Sequence, residues 1–289
     1  MIRGALGSTL RAIACVPDCR GARECELRQT CGYAQIFEPF AGDVGPSGLQ
    51  DQPRPFVLRA AHLDGRTIGS TEPFSFDIHL FLTVDPPLAY FILAFAQLAE
   101  SGLGPSRGRV RLQTVDVIGA GDEVLGRVFD SGEFQLAVLP APIEMDLTAV
   151  AASVPATTFV VEFLTPTELK NEGQIVGRPE FFVLISRVRD RLGNLTSLYG
   201  DGLELDWTGL TERARAVRLM DSNLRTEGGM RMSTKTGQTH ALAGFVGTAT
   251  YEGSVGEFLP LLRVAVYTGV GRQTVWGKGH IRILQIHGE

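Results

Sequence analysis

The sequence is poor in lysine, and its cysteines are confined to one short segment. Only three of the 27 basic residues are lysines, at Lys170, Lys235 and Lys278. The guanidinium of arginine suits bidentate phosphate contacts and stacking on bases, so the excess of arginine fits a nucleic-acid-binding protein. A genome rich in GC codons gives the same excess and remains the alternative explanation. No cysteine follows Cys31.

Long apolar runs are also missing. No run of 18 or more apolar residues occurs, which excludes a membrane-spanning helix. The longest apolar segment, Leu88–Ala99, contains Gln97 and is followed by Glu100, a pattern typical of a packed helix. The N-terminus has no charged-then-apolar leader, so we expect a cytoplasmic protein with no membrane partner. A hydrophobic content of 44% in 289 residues suits two globular domains.

The net charge of −5 argues mildly against a nucleic-acid-binding protein, but the charge is unevenly distributed. From Trp207 to Glu289 there are ten Lys or Arg and six Asp or Glu, a balance of +4 that leaves −9 for the rest. A local basic surface matters more for binding than the total charge. The sequence therefore predicts that the C-terminal part carries the main nucleic-acid contacts.

The four cysteines, Cys15, Cys19, Cys25 and Cys31, have the spacing C-x3-C-x5-C-x5-C. Four thiolates can complete the tetrahedral coordination of a structural zinc ion, and short spacers allow one loop to surround it. Reduced thiols and disulfides remain alternatives, although disulfides are rare in the cytoplasm. Such a site would stabilise the loop and would have no open position for catalysis.

Hydrophobic periodicity predicts two α+β domains, residues 1–140 and 156–289, separated by a proline-containing linker at 139–155. In the first domain it predicts a helix, followed by the cysteine-rich insertion (residues 15–31). A strand (74–82), a helix (88–100) and a second strand (109–117) follow. Together these elements predict a ferredoxin-like unit that lacks its first strand. In the second it predicts the order strand, helix, strand, strand, helix, strand, which is that of the ferredoxin-like fold shared with RRM domains. There the predicted segments are 157–164, 179–198, 230–236, 241–251, 255–267 and 279–286, with an additional helix at 207–220.

A glycine-rich loop, GVGRQTVWGKG, lies between the last predicted helix and the last strand. It contains Gly269, Gly271, Gly277 and Gly279 in the pattern G-x-G-x5-G-x-G. Consecutive exposed N–H groups in such a loop can bind phosphate oxygens, and Arg272, Trp276 and Lys278 add charge and a stacking surface. A tight structural hairpin rich in glycine is the alternative interpretation.

Four segments together resemble the CRISPR-associated (Cas) endoribonucleases of the RAMP superfamily that process pre-crRNA, number six in the Cas nomenclature. These segments are the glycine-rich loop, RGALGSTLRAIAC with CGYAQIFE (residues 3–15 and 31–38), VEFLTPTELKNEG (161–173) and MRMSTKTGQTHALAGFVGTATYEG (230–253). The resemblance covers nearly the whole chain. Two features differ from the family pattern: this chain starts at the first helix, without the strand that usually precedes it, and its first 61 residues contain no histidine.

The resemblance implies a hydrolase of antiviral defence that binds CRISPR repeat RNA and cleaves it into guide RNAs without a catalytic metal. The 2′-OH upstream of the cut attacks the adjacent phosphate, which requires a base, an acid and nearby cations. Among five histidines, His62 and His240 are the candidate bases. Tyr33 is a third candidate for proton transfer, and the expected RNA contacts are Arg231, Lys235, Arg272, Trp276, Lys278 and the four loop glycines.

Two other functions remain open. A RAMP subunit without catalytic activity would only hold crRNA in a CRISPR effector complex beside other Cas subunits, and the missing early histidine favours it. A zinc-stabilised nucleic-acid-binding protein unrelated to CRISPR would also fit the cysteine loop and the basic C-terminal part.

Overall fold

The computed structural model describes residues 2–16, 19, 21–39, 52–82, 86–104, 106–135, 139–145, 147, 156–232 and 239–288. Its α-helices are α1 (Ile2–Ala14), α2 (Gly32–Phe37), α3 (Leu88–Ser101), α4 (Phe181–Tyr199), α5 (Trp207–Ala214) and α6 (Leu259–Thr268). No helix within these ranges is long and apolar enough to cross a membrane.

Thirteen strands accompany these helices in the described residues. They are β1 (Phe56–Arg59), β2 (Asp77–Leu80), β3 (Thr114–Ile118), β4 (Val124–Asp130), β5 (Glu133–Phe134), β6 (Ala156–Thr167), β7 (Leu169–Asn171), β8 (Gln174–Val176), β9 (Arg218–Glu227), β10 (Met230–Met232), β11 (Thr239–Ala241), β12 (Gly244–Glu252) and β13 (Ile281–Gly288).

The chain forms two compact units. One comprises Met1–Arg54 and Leu82–Glu144, and the other Pro55–Phe81 and Met145–Glu289. The later boundary lies inside the predicted linker. The segment 55–81 was expected in the N-terminal domain but belongs to the C-terminal unit. Hydrogen bonds join this segment to the C-terminal unit, because the side chains of Arg59 on β1 and His79 on β2 donate to carbonyl groups at the end of α6.

In the N-terminal unit, α1 packs against α3 and α2. Its apolar residues fall on one face, as the sequence predicts, and Leu6 and Leu10 are completely buried. An antiparallel sheet follows in the order β3-β4-β5. The predicted strand at 109–117 starts late, because β3 begins only at Thr114.

The C-terminal unit is built on a four-stranded antiparallel sheet in the order β13-β6-β12-β9. With α4 after β6 and α6 after β12, this is the ferredoxin-like arrangement. Alternate residues of β6, namely Phe159, Val161 and Phe163, point into the core, as the two-residue period of a strand requires. Tyr251 on β12 is also buried, and its hydroxyl donates to the Pro179 carbonyl at 2.8 Å.

The predicted second strand of this unit was wrong in position. Residues 207–220 were expected to be helical, but α5 ends at Ala214 and β9 begins at Arg218. The pairing partner of β12 is therefore β9, whereas β10 pairs only with β11 in a separate short ribbon. Most residues of β9 are exposed, so its apolar alternation is weak and little in the sequence indicates a strand there.

Candidate functional site

The glycine-rich loop follows α6 and leads into β13. All four of its glycines have positive φ, between 68° and 86°, which side chains disfavour. A Cβ atom on Gly279 would lie 1.9 Å from the Val270 carbonyl oxygen, and one on Gly271 would lie 2.4 Å from that of Glu168. The glycines are therefore required for close packing of the loop on itself and on the chain segment between β6 and β7.

Most amides of this loop already have partners within the protein. Gly269 donates to Ala265, Val270 to Gly279, Arg272 to Glu168, Gly277 to Thr274 and Gly279 to Pro166, at 2.8–3.2 Å. An amide paired with a buried carbonyl is not available to a phosphate without breaking that bond. The structure thus gives the loop an architectural role that is independent of any RNA contact.

The two cations of the loop differ in exposure. Lys278 is only 3% exposed, and its ammonium donates to the Ala243 carbonyl at 2.8 Å and the Gln273 side chain at 3.0 Å. It also lies 3.5 Å from Glu168, whose other carboxylate oxygen accepts a 2.5 Å bond from the half-exposed Arg272. Burial lowers the pKa of Lys278, and Glu168 partly opposes this effect. Lys278 is thus placed to hold the loop.

The remaining predicted RNA contacts lie near this loop or in the β10–β11 ribbon. Trp276 is on a short 3-10 helix inside the loop and is partly buried. In the ribbon, Arg231 pairs with His240 across the two strands. Lys235 lies outside the described residues.

His62 is exposed and lies on a 3-10 helix directly after β1. Its Nε2 is 2.8 Å from the carbonyl oxygen of Ser75. A carbonyl can only accept, so Nε2 carries the proton and, in the neutral ring, Nδ1 is left as the unprotonated nitrogen. That arrangement orients the ring and leaves one nitrogen able to accept a proton.

Two other histidines are unsuited to act as a base. His79 donates from Nδ1 to the Tyr267 carbonyl at 2.9 Å, and burial lowers its pKa. Burial and the nearby cations lower the pKa of His280 to about 3. Both therefore stay neutral near pH 7 and are weak proton acceptors. The side chain of His287 lies outside the described part of the chain.

Two arginines that contact the end of α6 were missed in the sequence, the buried Arg59 and the partly buried Arg191. Arg59 donates to the Val266 and Tyr267 carbonyls at 3.1 Å, and Arg191 donates to the Thr268 carbonyl at 2.7 Å. Carbonyls at a helix C-terminus lack helical partners and attract cations, so both residues cap α6 where it enters the glycine-rich loop. A lone arginine within a strand or helix gives no sequence signal for such a role.

Tyr33 lies on α2 and is 5% exposed. Its hydroxyl donates to Glu38 at 2.9 Å, and burial together with this carboxylate raises its pKa. Its proton is already engaged inside the N-terminal unit.

The cysteine loop joins α1 to α2. The sulfurs of Cys15 and Cys31 are 3.9 Å apart, all four thiols are partly exposed, and none forms a disulfide. Burial and the neighbouring Cys19 and Cys31 thiols raise the pKa of Cys15 to about 12. Among the described residues, no three His, Cys, Asp or Glu side chains are gathered in a geometry ready to hold a metal ion.

The N-terminal unit also carries an arginine strip that the charge count did not reveal, consisting of Arg107, Arg109 and Arg111. All three side chains are exposed, and none forms an ion pair with a described residue. In contrast, six arginines of the C-terminal part pair with carboxylates, namely Arg213, Arg215, Arg218, Arg225, Arg272 and Arg282. Two of these carboxylates, Glu168 and Glu162, lie outside Trp207–Glu289 and lower its balance from +4 to +2, because the other acids were already counted.

Family models match both parts of the chain. Residues 1–141 match the AF_1859_N N-terminal domain, and residues 161–281 match the CRISPR-associated endoribonuclease Cas6. None of the curated proteins compared by sequence is similar enough to count as a match.

Among solved structures, one covers nearly the whole chain and supports the same fold. The Cas6 (TTHB231) product complex is 17% identical, with a TM-score of 0.54 over 98% of this chain and 91% of that one. A second structure of that Thermus thermophilus protein is 20% identical, with a TM-score of 0.37 over 46% of this chain and 56% of that one. The Cas6 (TTHA0078) product complex is 18% identical, with a TM-score of 0.46 over 84% and 87%.

The fold is the α+β, tandem ferredoxin-like one that the sequence predicts. The similarity to the CRISPR-associated endoribonuclease Cas6 therefore rests on residues 161–281, where the family model matches.

Proposed function

We propose that this chain binds CRISPR repeat RNA and cleaves it once per repeat to release guide RNAs. The observation that carries the proposal is the match of the ferredoxin-like domain, residues 161–281, to the Cas6 endoribonuclease family. In the proposed reaction the 2′-OH attacks the adjacent phosphorus and the bond to the 5′-oxygen breaks. The products are a 2′,3′-cyclic phosphate and a 5′-OH. The RNA supplies the nucleophile, so the protein needs no metal-activated water.

His62 is the proposed base. Its Nε2–H is held by the Ser75 carbonyl, which leaves Nδ1 to accept the proton of the 2′-OH. Imidazole is the side chain whose ordinary pKa suits proton transfer near neutral pH. His240 is the second candidate, because its backbone lies opposite Arg231, whose cation suits the negative charge of the phosphorane. Tyr33 is the weaker choice because its hydroxyl is buried against Glu38.

The arginine strip is the proposed RNA-backbone contact of the N-terminal unit. Its cations are exposed and lack carboxylate partners among the described residues, so they lose no ion pair on binding a phosphate. Arg272 remains a second candidate, since half of its side chain is exposed although Glu168 holds it. Beyond RNA, other Cas subunits are proposed partners by analogy with the family.

A specific observation also favours a guide-RNA holder that does not cut. Helix α1, where the family often places a histidine, contains arginine and serine but no histidine, aspartate or glutamate. A protein of this kind would bind repeat RNA with the same contacts and release no product.

One experiment separates the two functions. Repeat RNA from the CRISPR array of the same genome is incubated with excess protein, in parallel with the same RNA carrying a single 2′-deoxy nucleotide at the cut site. The proposal expects both RNAs to bind equally and only the first to be cut, because DNA-like sugar lacks the nucleophile. Equal cutting of both RNAs would exclude the 2′-OH mechanism, and binding without cutting would favour the holder.

A further inference from the structure

The cysteine loop brings together the ends of two helices that lie 17 residues apart in the chain. Cys15 comes directly after α1, and Cys31 is the residue that caps the start of α2. Their sulfurs are 3.9 Å apart, and the Cys31 thiol also donates to the carbonyl of Ala14 at 3.8 Å. One thiol is thus fixed at the end of each helix, and the two face each other.

The loop between them carries the other two thiols. The guanidinium of Arg11 on α1 donates to the carbonyl of Cys19, which holds that residue beside the end of the helix. The thiol of Cys19 also hydrogen-bonds Cys15. Cys25 lies at the end of a 3-10 turn, Ala22–Glu24, in the middle of the same loop. The Cys15 thiol therefore adjoins those of both Cys19 and Cys31, and Cys25 lies on the same loop.

The spacing of the sulfurs fits a tetrahedral thiolate site. Zinc–sulfur bonds are about 2.3 Å long, which places the sulfurs of a tetrahedron about 3.8 Å apart. The Cys15–Cys31 separation of 3.9 Å is already one edge of that tetrahedron. A disulfide would require its sulfurs at about 2.05 Å, so this pair is not in disulfide geometry.

We propose that Cys15, Cys19, Cys25 and Cys31 bind one zinc ion as a structural tetrathiolate site that joins the end of α1 to the start of α2. On binding, each thiol loses one proton to solvent, and four sulfur–zinc bonds form without any oxidation or reduction. Closure requires the thiols to move closer together, because no three of them are yet gathered around a single point. All four zinc positions are then filled by sulfur, so the ion has no open position and takes no part in RNA cleavage.

The proposed site would stabilise the short helix α2 against α1. Helix α2 has only six residues, and helices this short are not stable alone. Its Phe37 ring packs against Gly7 of α1 so closely that a Cβ atom added to Gly7 would lie 2.3 Å from the ring. A bond through zinc fixes the two helix ends and so maintains this close contact.

The test uses the intact protein, purified without added metal and without chelator. The expected result is one zinc per chain by elemental analysis, released when a mercurial blocks the thiols. Replacement by Co²⁺ should give the intense thiolate-to-cobalt charge-transfer band and the visible bands of tetrahedral coordination. Since this measurement needs no variant, failure of a variant to fold does not affect it.

Variants then identify the ligands. Cys25→Ser and Cys31→Ser should each lose the zinc or bind Co²⁺ with an altered band. Thr30→Ser is the matched control, because serine keeps the hydroxyl that donates to the Leu27 carbonyl beside Cys31, and it should retain one zinc per chain. Protein with no zinc and no cobalt–thiolate band would overturn the proposal. Iron with acid-labile sulfide would overturn it in favour of an iron–sulfur cluster. Disulfides between these cysteines in the freshly isolated protein would also overturn it.

Discussion

The ammonium of Lys278 lies 3.5 Å from the carboxylate of Glu168, although 110 residues separate them in the chain. Both side chains are nearly buried, at 3% and 10% exposure. The contact joins the glycine-rich loop to the segment after β6 and makes Lys278 part of the interior. The sequence had indicated a phosphate contact for this residue.

Lys278→Met should therefore destabilise the protein by about 3 kcal/mol, because it leaves the buried Glu168 with one cation fewer and the Ala243 carbonyl without its donor. Arg272→Gln removes the exposed partner of the same carboxylate and should cost about 1 kcal/mol or less. Urea unfolding of the two variants checks this order. Equal losses would mean that Lys278 is not held as described.

Gly279→Ala should destabilise the protein far more than Gly173→Ala. Both glycines have positive φ, 68° and 82°, so both variants carry the backbone cost of about 1 kcal/mol. A Cβ atom at Gly279 meets the Val270 carbonyl, whereas at Gly173 nothing lies within 4 Å. The clash adds about 3 kcal/mol or more at Gly279 alone. Comparable melting temperatures for the two variants would contradict the packing of this loop.

Stability should fall in mild acid because of His280. Its pKa is lowered from 6.5 to about 3 in the folded protein, so the unfolded chain binds the extra proton first. The contribution of the neutral ring is therefore complete above pH 6.5 and is lost as the pH falls from 6.5 toward 3. Allowing for partial exposure, the loss between pH 7 and pH 5 is about 1 kcal/mol.

Denaturant unfolding at these two pH values measures this effect. His280→Gln should reduce the pH dependence, and His62→Gln is the matched control because His62 is exposed. If both variants keep the slope of the parent, His280 is protonated in the folded state.

Arg109→Ala and Arg111→Ala should each weaken binding of repeat RNA. Each lost phosphate contact should make the slope of log K against the logarithm of the salt concentration shallower by about 1. Arg127→Ala is the matched control in the same unit, since Arg127 is also exposed but pairs with Asp116 and Asp130 at 2.8 and 3.0 Å. Titrations at several salt concentrations measure both quantities. An effect as large for Arg127→Ala would mean that loss of charge in general, and not the arginine strip, explains the weaker binding.

The periodic elements of the C-terminal unit could be predicted because their apolar residues repeat. Helices α4 and α6 and strands β6 and β13 lie close to the predicted ranges. In α4, α6 and β6 the apolar residues repeat because each of these elements buries one face. Strand β9 could not be predicted this way, because it is mostly exposed. The resemblance to the Cas6 family is confirmed over residues 161–281 by the family model, although its individual motifs are short.

The site was less predictable, because charge and burial depend on distant partners. Lys278 and Arg272 are cations in a glycine-rich loop, and only the fold shows that Glu168 meets both. Likewise, six of the eight arginines after Trp207 form ion pairs with carboxylates, which the sequence alone does not show. The roles of His62 and His240 stay predictions, as does the zinc site.

The most direct test of the account is the single-turnover cleavage of repeat RNA by the parent and by His62→Ala, with EDTA present and with product ends determined by mass. The account predicts that the parent releases a 2′,3′-cyclic phosphate and that His62→Ala is about 100-fold slower or more, the usual scale for loss of a general base. His240→Ala, measured in parallel, identifies the base if His62→Ala retains full rate. A parent protein that binds the RNA and leaves it whole, or that cuts only with added divalent metal, would contradict the central claim.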